Sequence, residues 1–498
     1  MKFILSFDQG TTSSRSLLIN EAGKITGSAQ KEFKQIFPQT SWVEHDPQEI
    51  WNTQIETAKK VIAENKIDPK DILALAITNQ RETIVAFDGE SGKPLYNAIV
   101  WQCRRTAKYC DELKKNHRKT IKEKTGLEID AYFSASKMKW ILDNVVGNCR
   151  DNSLRFGTID SWLVWNLTGG KSFYTDPSNA CRTMLFNIKE NKYDPELLEL
   201  FNIEEWMLPK VISSDGDFGL VDKKHFGVEI PIKAVLGDQQ AALFGQCCFK
   251  EGDLKVTYGT GGFLLINIGN KFQLNENLLT TVAWDSVIAS EAKQSNTITY
   301  ALEGSTFIAG AIIQWLRDGL GLIKDSSETE KLAISINSNE GVYLVPALTG
   351  LGAPHWDQNA RGTILGITRG TNKAHIVRAA VESMAYQIAD LILPLRACHN
   401  APLLAKDTFV KVDGGASKNN FLLQFQADLL QMPVTRSSQI EATALGVAYL
   451  AGLSLGFWKS KEDIQKNWHP DELFLPRKNR DDEYNKWKEA VKRSTHWA

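Results

Sequence analysis

Two Asp-Gln pairs stand far apart in the chain. Asp8-Gln9 runs into Gly10-Thr11-Thr12-Ser13-Ser14-Arg15, and Asp238-Gln239 runs into Gln240-Ala241-Ala242-Leu243-Phe244-Gly245. Each pair follows an apolar stretch and sits beside small residues. Such a segment can bring backbone N–H groups close to a phosphate while its carboxylate faces a metal ion or a reacting hydroxyl. Gly10 permits a tight turn. Thr11, Thr12 and Ser13 supply hydroxyls and N–H groups, and Arg15 supplies charge. Taken alone, the first segment is equally a β-hairpin with a polar turn. The occurrence of two suggests related half-molecules facing each other across one nucleotide.

Two further turns are rich in glycine. Tyr258-Gly259-Thr260-Gly261-Gly262 is weak by itself, because such turns are common. Asp413-Gly414-Gly415-Ala416-Ser417-Lys418-Asn419 ends a strand and opens a helix, a platform for adenosine or phosphate. Together with the Asp-Gln segments they are far more specific than singly. Gly169-Gly170-Lys171-Ser172 is not a P-loop, since Trp165 stands where the first glycine belongs, and no His-Arg-Asp loop occurs. The net charge of −1 and the lack of a Lys/Arg run speak against nucleic acid and anionic membranes. The seven cysteines are scattered without a Cys-x-x-Cys, which suits a reducing cytoplasm and no zinc site. The first residues lack a signal-peptide pattern. Ala442 to Trp458 carries no charge, yet Gly446, Gly452 and Gly456 with Thr443, Tyr449 and Ser454 read as a buried, closely packed helix rather than a membrane span.

These segments need a scaffold. Phe3–Phe7, Ser16–Asn20, Ile72–Thr78 and Thr83–Phe87 read as strands, and Trp140–Val146 continues a helix. The grammar repeats later, with strands at Leu254–Tyr258, Phe263–Ile268 and Thr408–Asp413 and a helix at Asn419–Gln431. Strands alternating with helices mean α/β architecture. At 498 residues the chain is too long for one typical domain. The boundary falls near Cys248–Asp253, giving units of 1–249 and 250–498. The charged stretch Arg477–Arg493 reads as a solvated helix.

From Phe3 to about Arg493 the chain resembles the FGGY carbohydrate kinases, on the actin/hexokinase/Hsp70-like ATPase fold. Tyr132-Phe133-Ser134-Ala135-Ser136-Lys137-Met138-Lys139-Trp140 matches one family signature. Gly362–Ile367 with His375 through Glu382 matches the other. Trp42–Pro47, Ile77–Thr83, Val100–Thr106 and Gly237–Gly245 are similar to its glycerol-phosphorylating branch. The resemblance implies two ribonuclease H-like (actin-like ATPase) domains around a catalytic cleft. It implies transfer of phosphate from ATP, with Mg2+, to a terminal hydroxyl of glycerol. Asp238 would be the base, and Asp8 with Asp238 would hold the metal. Arg81, Glu82, Trp101, Tyr132, Asp238, Gln239 and Phe263 would bind glycerol. Thr11, Thr12, Ser13, Arg15, Thr260, Gly310, Gln314, Gly415 and Asn419 would bind ATP. From spacing alone, Arg81-Glu82 is as readily a surface ion pair, and Trp101 and Phe263 are as readily core. The resemblance further implies a homodimer or homotetramer in the cytoplasm. A related polyol or pentulose kinase is the alternative, and a non-catalytic ATP-binding relative of the fold is a further one.

The chain departs from the family's pattern at three places. Glu229 stands where members inhibited by fructose 1,6-bisphosphate carry an Arg, so no such inhibition is expected. His225-Phe226-Gly227 resembles the loop that a phosphocarrier protein phosphorylates in other members, with a Tyr deleted; an exposed loop histidine is the plainer reading. Asp285–Asn296 reads as a surface insertion.

Overall fold

The structure, a computed structural model, describes residues 1–147, 152–286, 298–397, 404, 408–438 and 441–497. The expected insertion therefore lies outside the described residues apart from Asp285 and Ser286.

Two sheets with the same plan dominate. The first contains β1 (Phe3–Gln9), β2 (Ser13–Asn20), β3 (Ile25–Glu32), β4 (Ile72–Asn79) and β5 (Ile232–Gly237), in the order β5-β4-β1-β2-β3. β1, β2 and β3 are antiparallel neighbours, while β4 runs parallel to β1 and β5 parallel to β4. The second contains β6 (Leu254–Tyr258), β7 (Gly262–Asn267), β8 (Leu279–Asp285), β9 (Ile298–Thr306), β10 (Val410–Asp413), β11 (Val434–Ser437) and β12 (Pro470–Phe474), in the order β8-β9-β7-β6-β10-β11-β12. Its inner run repeats the first sheet. β6 and β7 are antiparallel, β7 and β9 are antiparallel, β10 runs parallel to β6, and β11 runs parallel to β10.

Side-chain alternation divides β1 between two cores. Phe3, Leu5 and Phe7 join a cluster with helix α1 (Pro47–Glu64), which Asp46 caps through the Gln48 N–H at 2.8 Å. Ile4 points the other way, with Ser6, whose hydroxyl donates to the Ala444 carbonyl at 2.8 Å. That face, which also carries Asp8, meets two helices, α2 (Asp238–Gly245) and α3 (Ala442–Ser454). α2 follows β5 as α3 follows β11. The helices cross on glycine. A Cβ on Gly245 would lie 1.9 Å from the Ala442 carbonyl oxygen, and one on Gly446 would lie 1.8 Å from that of Ala241. The uncharged segment from Ala442 is thus buried between the two sheets, as its composition predicts. Among the described residues no helix is long and apolar enough to cross a membrane.

The charged C-terminal stretch corrects its reading as a solvated helix. Helix α4 (Asp481–Ser494) buries Trp487, Ala490 and Val491. The Trp487 ring stacks on Tyr386 at 5.1 Å, and its Nε1 donates to Asp390 at 2.9 Å. One apolar stripe is enough to dock a helix whose other faces are charged. The runs of small residues also mark turns too generously: Ser13, Ser14 and Gly262 already belong to strands.

Candidate active site

Register brings the strand ends into line. Gln9 pairs with Asn79, and Asn79 with Gly237, so β1, β4 and β5 finish at one edge. Asp8 lies at the end of β1, Arg81 and Glu82 just beyond β4, and Asp238 just beyond β5. In parallel sheets ligands bind at this edge. In the second sheet Thr257 pairs with Asp413, so the turns after β6 and β10 are neighbours too.

The turn after β4 is tight. The Gln80 N–H donates to the Gln9 carbonyl at 2.7 Å, and the Thr83 N–H to the Arg81 carbonyl at 2.7 Å. Glu82 sits at φ +61°, in the left-handed region that disfavours a side chain. This turn sends both charged side chains to one side. Gly237 makes room for Arg81, because a Cβ there would lie 2.6 Å from the Arg81 Cδ. Asp238 begins α2. Its Oδ1 accepts from the Gln239 N–H at 2.7 Å and faces the Arg81 Nε at 3.1 Å.

All seven residues expected to bind the acceptor line one cavity of about 130 Å3: Arg81, Glu82, Trp101, Tyr132, Asp238, Gln239 and Phe263. Thr11, Thr257 and Gly259 to Gly261 complete it. The Trp101 ring stands edge-on to Tyr132 at 5.6 Å and to Phe263 at 6.3 Å, and its Nε1 donates to the Thr11 hydroxyl at 2.9 Å. Burial pushes the Tyr132 phenol well above its ordinary value, so it keeps its proton. Arg81 and Glu82 are buried, not a surface pair.

A second cavity of about 550 Å3 opens beside the first. Thr260, Gly310, Gln314, Gly415 and Asn419 line it, as the resemblance implies. Gly259 and Thr260 line both cavities, so the two communicate at that turn. Thr12, Ser13 and Arg15 line neither. Thr12 is exposed, the Ser13 hydroxyl accepts from Gln30 at 2.9 Å, and Arg15 is ion-paired with Glu441 at the start of α3.

Asp8 is half-buried on the face toward α2 and α3. Burial raises its carboxyl to about 6; Arg15 opposes the shift, while Glu441 and Asp238 add to it. A divalent cation would relieve this excess of negative charge. Mg2+ typically takes one or two carboxylates and completes its shell with phosphates and water. Asp8 with Asp238 fits that mode. Among the described residues no cage of three or more His, Cys, Asp or Glu is present.

Sequence reasoning missed four residues around the acceptor cavity. Glu303 and Arg182 pack behind Arg81 and Glu82, and Gln240 accepts from Arg81 at 3.1 Å. Lys255 donates to Gln239 at 2.5 Å and to Thr257 at 2.8 Å; burial lowers its ammonium to about 8. A charge inside an apolar strand was the available signal, as in Leu302-Glu303-Gly304 and Leu254-Lys255-Val256.

The model of the FGGY family of carbohydrate kinases, N-terminal domain, matches residues 3–245, and that of its C-terminal domain matches 254–455. The chain belongs to the FGGY family of carbohydrate kinases. Its FGGY relatives include a glycerol kinase of Thermoanaerobacter sp. (strain X514), 55% identical over all of this chain and 99% of that one. Glycerol kinase 2 of Thermotoga maritima is 54% identical over the same shares. The solved glycerol kinase of Plasmodium falciparum with ADP superposes at a TM-score of 0.88, with 35% identity over 99% of this chain and 98% of that one. A xylulose kinase of Lactobacillus acidophilus shares the two-domain FGGY fold at a TM-score of 0.82 and 21% identity.

Proposed function

We propose that this FGGY kinase transfers the terminal phosphoryl group of ATP to a terminal hydroxyl of glycerol, giving sn-glycerol 3-phosphate and ADP. The observation that carries the reading is the pairing of cavities. A small, polar, aromatic-walled cavity opens at Gly259 and Thr260 into a larger one lined by helix starts. A cavity of about 150 Å3 holds benzene, which has as many non-hydrogen atoms as glycerol. The near relatives named as glycerol kinases support the same acceptor.

Glycerol has little apolar surface, so its affinity must come from charge-assisted hydrogen bonds. In this reading Arg81 donates to hydroxyls, Glu82 and Gln239 accept from them, and Tyr132 does either. Trp101 and Phe263 wall the carbon chain. The reacting hydroxyl oxygen forms its bond to the γ-phosphorus as the bond from that phosphorus to the β-bridging oxygen breaks. Asp238 receives the hydroxyl proton, and ADP leaves with the bridging oxygen. The Arg81 Nε faces that carboxylate at 3.1 Å and holds it in place. Phosphoryl transfer is loose, so alignment and charge neutralisation contribute more than proton removal. Thr11, Thr12, Ser13 and Arg15 serve the phosphates from the first half and Thr260 from the second, with Gly310, Gln314, Gly415 and Asn419 on the rest of the nucleotide. Mg2+, held by Asp8 and Asp238, would supply neutralisation of the phosphate charge.

The same proposal places the division of the chain at 249/250 and the protein in the cytoplasm as a homodimer or homotetramer. Glu229 makes it insensitive to fructose 1,6-bisphosphate, which an activity assay with the bisphosphate checks. A phosphocarrier protein acting at His225 is a second partner reading. The ring is half-buried, not freely exposed: it meets Trp51 edge-on at 5.2 Å, and Nε2 lies 3.3 Å from the Asn166 carbonyl. Mass spectrometry after incubation with phosphocarrier protein and phosphoenolpyruvate tests it.

The central test is a coupled assay of ADP release. Glycerol-dependent turnover that falls by about a hundredfold or more in Asp238→Asn is expected. Folded, ATP-binding wild type that ignores glycerol would overturn the reading.

A further inference from the structure

Two buried side chains behind the acceptor cavity have no part in the mechanism above. Glu303, on β9 of the second sheet, meets Arg81 fork to fork. Its Oε2 lies 2.6 Å from Nη1 and its Oε1 2.9 Å from Nη2. Arg182, on a loop of the first half, donates through Nε to Glu82 Oε1 at 2.6 Å and through Nη2 to Glu303 Oε1 at 3.0 Å. The Ser305 hydroxyl adds a bond to Glu303 Oε1 at 3.0 Å. Glu303 and Arg182 are wholly buried, and neither lines the cavity.

The pattern decides what Arg81 and Glu82 have left to offer. The Arg81 Nη1 is used by Glu303 and Gln240, and Nε faces Asp238. Beyond its bond to Glu303, Nη2 has, among the described residues, only a long contact of 3.5 Å to the Tyr132 hydroxyl. That edge is free to turn to a ligand. Glu82 has Oε1 committed to Arg182, which leaves Oε2 as the acceptor. A bidentate Arg–carboxylate pair fixes orientation as well as contact. Burial alone would raise the Glu303 carboxyl, yet the guanidiniums of Arg182 and Arg81 outweigh it and hold it at about 2, so the clamp stays charged.

We propose that Glu303 and Arg182 are the positioning pair that sets the donor edge of Arg81 and the acceptor oxygen of Glu82 that this cavity shows to a polyol, and so its preference for an acceptor carrying every hydroxyl of glycerol. The inference rests on the reading that the cavity takes glycerol. Because Glu303 comes from the second sheet and Arg81 from the first, the pair also ties acceptor recognition to the seating of the two halves.

The experiment is steady-state kinetics on the full chain. Wild-type turnover with glycerol tests the underlying reading first. Glu303→Gln is then expected to raise the KM for glycerol by about tenfold or more, with the KM for ATP within about twofold. It should also shrink the kcat/KM advantage of glycerol over propane-1,2-diol. Glu303→Asp should restore part of both. Ser305→Ala keeps every charge and removes one hydrogen bond to the Glu303 carboxylate; it should raise the glycerol KM about two- to fivefold. This variant decides the matter should Glu303→Gln not fold. An unchanged glycerol KM and selectivity overturns the proposal, as does a parallel rise in both substrates' KM values. If the wild type prefers a different polyol, the glycerol reading fails, and the same variants test the pair on that polyol.

Discussion

Asp8 shows what burial does to a single carboxyl. Its folded value, about 6, lies above the ordinary 3.8. The folded protein therefore holds this proton over a window where the unfolded chain has lost it. The cost is absent below about pH 4, grows as pH rises through the window, and is complete above about pH 6. At neutral pH it reaches at most about 3 kcal/mol. Asp8→Asn should raise the melting temperature of ligand-free protein at pH 7.5, with the gain shrinking toward pH 4, while turnover is lost. Thermal denaturation at both pH values checks this, and an equal or lower midpoint at pH 7.5 would refute it. Residues such as Asp8, Arg81 and Asp238 were legible because they sit in short contiguous segments. Glu303 and Arg182 were not, because their partners lie far off in sequence and only folding brings four charges into one buried cluster.

At the scale of elements, the crossing of α2 on α3 holds the two strand systems in place. Each helix starts at the cleft, with Asp238 as first residue of one and Glu441 as the cap of the other. Their approach leaves no room for a methyl group at Gly245 or Gly446. Gly446→Ala should destabilise the protein by about 2 kcal/mol or more through overpacking, and should lower kcat although Gly446 lines neither cavity. A melt together with a glycerol assay reads both effects; a variant with wild-type stability and turnover would show that the crossing can relax. The glycines and uncharged run of α3 predicted close packing, and that reading held. What the helix packs against was not legible, since an evenly apolar helix has no face that names its partner. The C-terminal stretch is a helix, as read, but its docking face was missed for the opposite reason. Its many charges hid one stripe, Trp487, Ala490 and Val491, which is all that docking requires.

Across the whole molecule, the repeated grammar of strand, turn and strand was readable early, and the two sheets repeat it in three dimensions. Equivalent turns carry different chemistry. After β4 the chain presents Arg81 and Glu82, a charged grip for something small. After β10 it presents Gly414 and Gly415, a turn without side chains, of which Gly415 lines the larger cavity. A ligand touching both halves should draw them together. Small-angle scattering with glycerol and a non-hydrolysable ATP analogue is expected to show a smaller radius of gyration than the ligand-free protein; an unchanged radius would argue for a cleft already closed.

The small cavity is assembled from both sides of the joint between the N-terminal and C-terminal FGGY domains. Arg81, Trp101 and Asp238 come from one side, Thr257, Thr260 and Phe263 from the other. Neither half therefore owns a binding site that it could keep if parted from its companion. Cut at the joint, the first piece would retain its carboxylates and lose the wall opposite them, while the second would retain its glycine turns and have nothing to phosphorylate. The smallest unit of this chain that can do chemistry is the pair of halves, and a polyol lodged in the seam acts on them as a rivet acts on two plates.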